Sequence, residues 1–125
     1  DILVFCYGQY MVNEVLKAVK LVKNKYKISC EVSNISSINY FDFNWYKNKL
    51  KKFDKILIID DHNINGGLGD LVISFLINKN LLKSKKIIKI GVKNFPKCGT
   101  QDEVLKFHEL DYLSITKKIK KLYYD

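Results

Sequence analysis

Residues 56–70 read ILIIDDHNINGGLGD and predict a buried β-strand, a glycine-rich turn and the start of a helix. Four consecutive branched aliphatic residues are typical of a strand that is covered on both faces of a sheet. The polar run Asp60-Asp61-His62 follows directly. From Leu68 onward, apolar residues recur every three or four positions, which predicts a helix that packs on this sheet. That apolar stripe consists of Leu68, Leu71, Val72, Phe75 and Leu76.

Strand and helix patterns alternate upstream of this unit. Residues 2–7 form a continuous apolar strand that ends at a glycine, and a helical pattern follows it. We predict a second strand in residues 27–33, and a short helix that Asp42 caps and that runs to about Lys52. The apolar positions of the first helix are Val12, Val15, Leu16, Val19 and Val22.

The alternation continues downstream, where residues 87–92 predict another strand. Thr100 and Glu103 form a Thr-x-x-Glu capping box that opens a short helix. A last helix carries apolar residues near the end of the chain and faces its lysines outward. Such alternation predicts an α/β fold with a mainly parallel sheet. We expect residues 1–125 to form a single domain.

Composition supports a packed core, because 47% of the 125 residues are apolar. No apolar run approaches the roughly 20 residues that cross a bilayer, so no membrane span is predicted. The chain starts at Asp1 and runs straight into an apolar strand, without a methionine or a charged leader. We therefore expect it to be part of a longer protein.

The three cysteines, Cys6, Cys30 and Cys98, are too scattered for a disulfide framework or a CxxC metal site. We predict reduced thiols, which are typical of a cytoplasmic protein. The net charge of +9 comes entirely from lysine, since the chain contains no arginine. Arginine is the residue best suited to reading phosphates and guanine edges, so nucleic-acid binding is not expected.

The turn between the central strand and its helix contains Gly66, Gly67 and Gly69. Neither the Walker spacing nor the dinucleotide fingerprint fits this turn. Three interpretations remain open. The glycines allow a sharp turn and close helix–sheet packing, they line a larger shared site, or they form an independent anion site at a helix N-terminus.

His62 is a candidate general acid or base because its unperturbed pKa lies near neutrality. Asp60 and Asp61 can orient the imidazole or bind a cation. However, adjacent residues at the end of a strand point in different directions, so we favour a hydrogen-bonding role for His62. His108 is predicted to be a surface or capping residue at the end of a short helix.

The same residues carry a family resemblance. The run Asp60-Asp61-His62 with Gly66-Gly67-Leu68-Gly69 resembles the Glu-Glu-His…Gly-Gly-Leu-Gly segment in the C-terminal domains of transketolase-type, thiamine-diphosphate-dependent enzymes. The chain departs from the family pattern at Tyr40, where proline is usual, and at Asp70, where serine is usual. Further similarities occur in family order at residues 2–8, Ile90-Gly91-Val92, Phe95, Cys98-Gly99-Thr100 and Leu110-Asp111 with Ile115.

The resemblance implies a five-stranded, mostly parallel sheet with helices on both faces. It also implies that thiamine diphosphate and magnesium are held by other domains, fused or separate, and not by this one. The magnesium motif Gly-Asp-Gly…Asn is not completed by Gly69-Asp70-Leu71. The domain is then expected to buttress a homodimer and to flank the active-site entrance with Asp61, His62, Gly66, Gly67 and Gly69.

The implied activity of the full enzyme is transfer of a two-carbon ketol unit between sugar phosphates. Short or split transketolases are the most similar group, and deoxyxylulose-phosphate synthase is close behind. A free-standing phosphate-binding module built on residues 62–70 is the alternative from a different functional class.

Overall fold

The structure, a computed structural model, describes all 125 residues and contains four strands and five helices. The strand and the helix predicted from residues 56–70 are both present, and the other elements alternate around them. The chain order is β1 (Ile2–Tyr7), α1 (Gln9–Tyr26), β2 (Cys30–Ile35), α2 (Phe43–Lys52), β3 (Lys55–Asn63), α3 (Leu68–Asn78), β4 (Lys86–Val92), α4 (Gln101–Phe107) and α5 (Tyr112–Tyr124).

The four strands form one parallel sheet in the order β2-β1-β3-β4. The predicted α/β class and parallel sheet are confirmed, with one strand fewer than the five that the family resemblance implied. Successive side chains of a strand point to opposite faces, so β1 places Val4 in one core and Phe5 in the other. Helices α1, α4 and α5 cover the Val4 face, and α2 and α3 cover the Phe5 face.

Two strand boundaries differ from the prediction. Strand β2 begins at Cys30 because the preceding residues end helix α1, where Lys27 takes the left-handed conformation that closes it. Strand β3 continues beyond its aliphatic residues to Asn63, and its pairing with β4 shifts register between Ile59 and Asn63.

The predicted helix caps are confirmed. Asp42 accepts the backbone N–H groups of Asn44 and Trp45 at the start of α2. Thr100 and Glu103 form the capping box that starts α4. None of the helices combines the length and the apolar character that crossing a bilayer would require.

A parallel sheet places all strand ends on one side. We call the segments that follow the strands the carboxyl edge, which comprises residues 8–10, 36–46, 64–70 and 93–103. The segments that precede the strands form the amino edge, which comprises residues 23–29, 49–55, 79–86 and 120–125. The 22 lysines are scattered along the sequence, yet 13 of them lie at the amino edge and two at the carboxyl edge. Helices α1, α2, α3 and α5 end at the amino edge, where their dipoles favour positive charge.

Candidate functional site

The side chains of Asp60, Asp61 and His62 converge at the carboxyl end of β3. One potential ligand atom from each residue lies within 4.8 Å of the other two. The expectation that these side chains point in different directions is therefore wrong. In a regular strand Asp61 would face away from its neighbours, but the register shift between Ile59 and Asn63 interrupts that alternation.

Asp60 holds the turn together from inside. Its side chain is only 4% exposed. The Oδ1 atom accepts the backbone N–H of His62 at 3.0 Å, and the Oδ2 atom accepts the backbone N–H of Leu68, also at 3.0 Å. The second bond satisfies an otherwise free N–H at the start of α3. Because both oxygens already accept backbone donors, Asp60 is a poor candidate for an open cation ligand.

Asp61 lies beside His62, and 22% of its side chain is exposed. Its Oδ1 atom is 2.6 Å from His62 Nδ1, but that nitrogen is aligned for a hydrogen bond with Asp60 Oδ1, at 3.2 Å. The Asp61 Oδ1 atom is buried without a hydrogen-bond partner. Burial raises the pKa of the Asp61 carboxyl; His62 opposes this shift, and the nearby charge of Asp60 adds to it.

The imidazole of His62 faces outward, with 66% of its side chain exposed. Its ring packs against that of Tyr7, with ring centroids 5.6 Å apart. Both residues line an open crevice of about 480 Å³ that also contacts Asn34 and Ser36. The crevice lies outside the carboxyl ends of β1 and β3, where successive connections leave the sheet in opposite directions. Open α/β sheets commonly bind ligands at this position, and an exposed imidazole there can exchange a proton or donate a hydrogen bond.

At two of the three glycines, neighbouring side chains leave too little room for a Cβ atom unless they shift. A Cβ atom on Gly67 would overlap the Oδ2 atom of Asp60, and one on Gly69 would lie 2.9 Å from the Cδ atom of Lys89. Gly66 differs, because a Cβ atom would meet nothing but the backbone takes a φ of +80°. This geometry supports the packing interpretation of the glycine turn, and a role of the same glycines at an interface stays a prediction.

Lys89 was not identified from the sequence, although it braces the turn from β4. Its ammonium group contacts Asp70 Oδ1 and donates to the carbonyl of Ile64 at 3.1 Å. The other oxygen of Asp70 accepts the N–H of Gly66 at 2.6 Å. Lys89 is a polar residue inside the apolar strand IIKIGV, and this interruption was the available signal.

His108 takes the C-cap position of α4, as the sequence predicted for a capping residue. Its Nε2 atom is buried without a partner, and the residue lines a separate crevice of about 280 Å³ with Lys93 and Asn94. The structure does not bring His108 together with His62 in one crevice.

Comparisons with known proteins agree with this architecture. Residues 1–115 match the sequence model of a family described as transketolase, C-terminal domain. A transketolase C-terminal section from Methanocaldococcus jannaschii is 33% identical over 120 residues, which cover 95% of this chain and 36% of that protein. A 1-deoxy-D-xylulose-5-phosphate synthase from Halothermothrix orenii is 25% identical over 123 residues, which cover 98% of this chain and 19% of that protein.

Among solved structures, a split gene transketolase described as an inactive beta4 tetramer superposes on this chain with a TM-score of 0.85. The superposition covers 98% of this chain and 39% of that chain, at 20% identity, and shows a shared fold. The chain thus spans 36% of the archaeal relative and 19% of the bacterial synthase.

Proposed function

Because this chain belongs to the family of transketolase C-terminal domains, we propose that it serves as the C-terminal domain of a transketolase-like enzyme. In that role it supports thiamine-diphosphate-dependent transfer of a two-carbon ketol unit between sugar phosphates, while other domains perform the chemistry. It buttresses the dimer of the full enzyme and flanks the entrance of an active site. The thiamine-diphosphate-binding polypeptide completes that site, either as part of the same chain or as a separate one.

The main support for this proposal is the contrast between the buried side chain of Asp60 and the exposed side chain of His62. Asp60 is buried and both of its oxygens hold backbone groups of the turn. The His62 ring, positioned from behind by Asp60, is mostly exposed at an open crevice. A side chain fixed on its inner side and free on its outer side suits contact with a second polypeptide or with a passing substrate. Asp61 and the glycines at 66, 67 and 69 shape the surface around it.

The cofactor is assigned to the other domains because Asp60 and Asp70, two of the three acidic residues near the turn, are poorly suited to magnesium. Magnesium is usually held by a few carboxylates together with water and phosphate oxygens. Asp70 already contacts Lys89 through one oxygen and Gly66 through the other. Asp60 is similarly engaged. These donors would have to lose intrachain partners before they could bind a metal ion.

The proposal is tested by measuring thiamine diphosphate binding calorimetrically for three samples: this chain, the thiamine-diphosphate-binding polypeptide, and the assembled enzyme. Circular dichroism confirms that each sample is folded. We expect no binding to this chain, and cofactor-dependent ketol transfer from a ketose phosphate to an aldose phosphate by the assembled enzyme. Tight binding of thiamine diphosphate to this chain alone would refute the proposed division of labour.

A second candidate is the C-terminal domain of a 1-deoxy-D-xylulose-5-phosphate synthase, because two relatives carry that name at 25% and 24% identity. Analysis of the products that the assembled enzyme forms distinguishes the two activities. Formation of 1-deoxy-D-xylulose 5-phosphate, without ketol transfer between sugar phosphates, would favour this alternative.

A free-standing phosphate-binding module receives less support from the geometry. The backbone at Gly67 packs against Asp60, so a bulkier residue there disturbs the fold as well as any ligand site. Titration of the unmodified chain with inorganic phosphate is therefore the cleaner test. Saturable binding that depends on the N-terminus of α3 would favour the module.

A further inference from the structure

Aromatic and lysine residues are distributed unequally between the two edges of the sheet. The carboxyl edge contains seven of the aromatic residues, and its two lysines are Lys93 and Lys97. The other 20 of the chain's 22 lysines lie outside this edge. Protein–protein interfaces are enriched in aromatic residues and depleted in lysine relative to other surfaces. Three of these aromatic residues, Phe41, Phe43 and Tyr46, pack against the core. The interface character of the carboxyl edge therefore depends on its scarcity of lysine and on its four exposed aromatic residues, Tyr10, Tyr40, Trp45 and Phe95.

Two aromatic rings project from this edge with little contact to the rest of the chain. Phe95 is 93% exposed and Tyr40 is 88% exposed, the highest values among the large apolar residues. The two phenylalanines that follow Tyr40 behave differently: Phe41 packs face to face with Tyr46, and Phe43 with Phe75. Phe95 and Tyr40 thus contribute little to the core, and rings of this kind commonly act as interface anchors.

The two rings lie at opposite ends of the carboxyl edge. Tyr40 follows β2 and Phe95 follows β4, which are the two outer strands of the sheet. Three strand spacings of about 4.8 Å separate those strands, or roughly 14 Å. His62 projects from β3 between them. Tyr40 lines a crevice of about 260 Å³. This crevice shares Ile35 and Ser36 with the one that His62 lines, so the surface between Tyr40 and His62 is continuous.

We infer that the carboxyl edge is the docking surface for the thiamine-diphosphate-binding polypeptide, with Tyr40 and Phe95 as its anchors. This inference rests on the proposed function and identifies the surface through which the partner is held. The partner surface offers apolar pockets for the two rings and acidic groups opposite Lys93 and Lys97. Docking there places His62 inside the contact area and leaves the lysine-rich amino edge in solvent.

A second copy of this chain fits the same surface less well. Two chains with a net charge of +9 repel each other at long range. In addition, most acidic groups of the carboxyl edge have intrachain partners and are not free to receive lysines from another copy. Asp42 caps α2, Asp70 pairs with Lys89, and Glu103 completes the capping box of α4.

The test uses the assembled enzyme with a photoreactive benzoylphenylalanine at position 40, 95 or 124. Tyr124 provides the control, because it is an exposed aromatic residue at the amino edge. After irradiation, mass spectrometry identifies the cross-linked peptides, and mixed isotope labelling separates contacts within one chain from contacts between copies. We expect positions 40 and 95, but not 124, to cross-link to the thiamine-diphosphate-binding polypeptide.

Serine variants measure the strength of the contact. Tyr40→Ser and Phe95→Ser should each weaken assembly roughly 10-fold or more, whereas Tyr124→Ser should not. Cross-links between copies of this domain, or equal effects at all three positions, would overturn the docking surface. Cofactor-dependent activity of the unmodified enzyme is measured in parallel. Its absence would reject the proposed function, whereas an active enzyme with unaffected serine variants would reject only the docking surface.

Discussion

The buried carboxylate of Asp60 accepts the backbone N–H of Leu68, at 3.0 Å, and so joins the end of the central strand to the first turn of the next helix. The same carboxylate accepts the backbone N–H of His62. One side chain therefore fixes both the exit of β3 and the entry of α3. The glycine between them, Gly67, has no room for a side chain because Asp60 occupies that space.

Replacing Asp60 by asparagine should destabilise the protein by about 1–3 kcal/mol. Asparagine offers one acceptor oxygen, so its NH₂ group would face one of the two backbone donors and leave it unsatisfied. Urea unfolding followed by circular dichroism measures the change. Asp61→Asn is the matched control, and we expect it to be neutral or stabilising because burial already disfavours the charged form of Asp61. Equal losses for both variants would contradict the bracing role of Asp60.

Gly67→Ala should cost about 1–3 kcal/mol through overpacking. Asp60 cannot move aside without losing its hydrogen bonds to Leu68 and His62. Gly66→Ala separates this steric effect from backbone strain, because Gly66 has a positive φ but open space around its Cα atom. Combining Gly67→Ala with Asp60→Ala should give a loss smaller than the sum of the two single losses. Strict additivity in urea unfolding would show that the clash is not the cause.

The ion pair between Asp70 and Lys89 should make stability depend on pH. Lys89, followed by the N–H of Gly66, lowers the pKa of Asp70 below its ordinary value. Because the folded-state pKa is lower than the unfolded one, the stabilisation is present above the unfolded pKa of about 3.9 and is lost as the pH falls through the folded value. Urea unfolding at several pH values from about 6 down to about 3, which spans that pKa, measures the effect. As the pH falls, the difference in free energy of unfolding between the wild type and Asp70→Asn should shrink.

Lys89→Met provides the second arm of this experiment. It removes the main cause of the lowered pKa and should reduce the same pH dependence. If Asp70→Asn and the wild type lose stability in parallel across the range, the ion pair does not contribute.

Glu14 connects two helices that are far apart in sequence. Its buried carboxylate accepts the backbone N–H of Tyr112 at 2.7 Å, at the start of α5, and also contacts Lys17. Glu14→Ala should cost about 1–3 kcal/mol because the donor loses its partner. Glu14→Gln keeps an acceptor oxygen and should cost less. Lys17→Ala should change stability little, since its ammonium group is largely exposed. Urea unfolding ranks the three variants.

The three cysteines should differ in reactivity. Burial raises the pKa of Cys6 and of Cys30 to about 11, whereas Cys98 lies on an exposed loop. Thiolate is the reactive form, so a thiol reagent at about pH 8 should modify Cys98 rapidly in the native protein. Cys98→Ser should remove that fast phase, and urea should make all remaining thiols reactive. A fast native phase that survives Cys98→Ser would contradict this assignment.

Local sequence patterns were enough for most of the framework. The aliphatic run of β3, the stripe from Leu68 to Leu76, the Asp42 cap and the Thr100 capping box depend on neighbours within a few residues, and each was predicted correctly. The boundaries of β2 and β3 were not, because Lys27 was needed to end a helix and because the extension of β3 follows its pairing with β4. Lys89 was missed because its partner, Asp70, belongs to another element.

The sequence by itself determined the order of strands and helices, the two-sided burial of the sheet and the residues of the polar turn, since periodicity and capping act over short distances. The tertiary structure alone decided which distant residues meet. The pairing of β4 with β3 brought Lys89 to Asp70 and Ile64, and the parallel strands gathered dispersed lysines at one edge and exposed rings at the other. Those relationships depend on strand register and helix direction, which couple residues far apart along the chain.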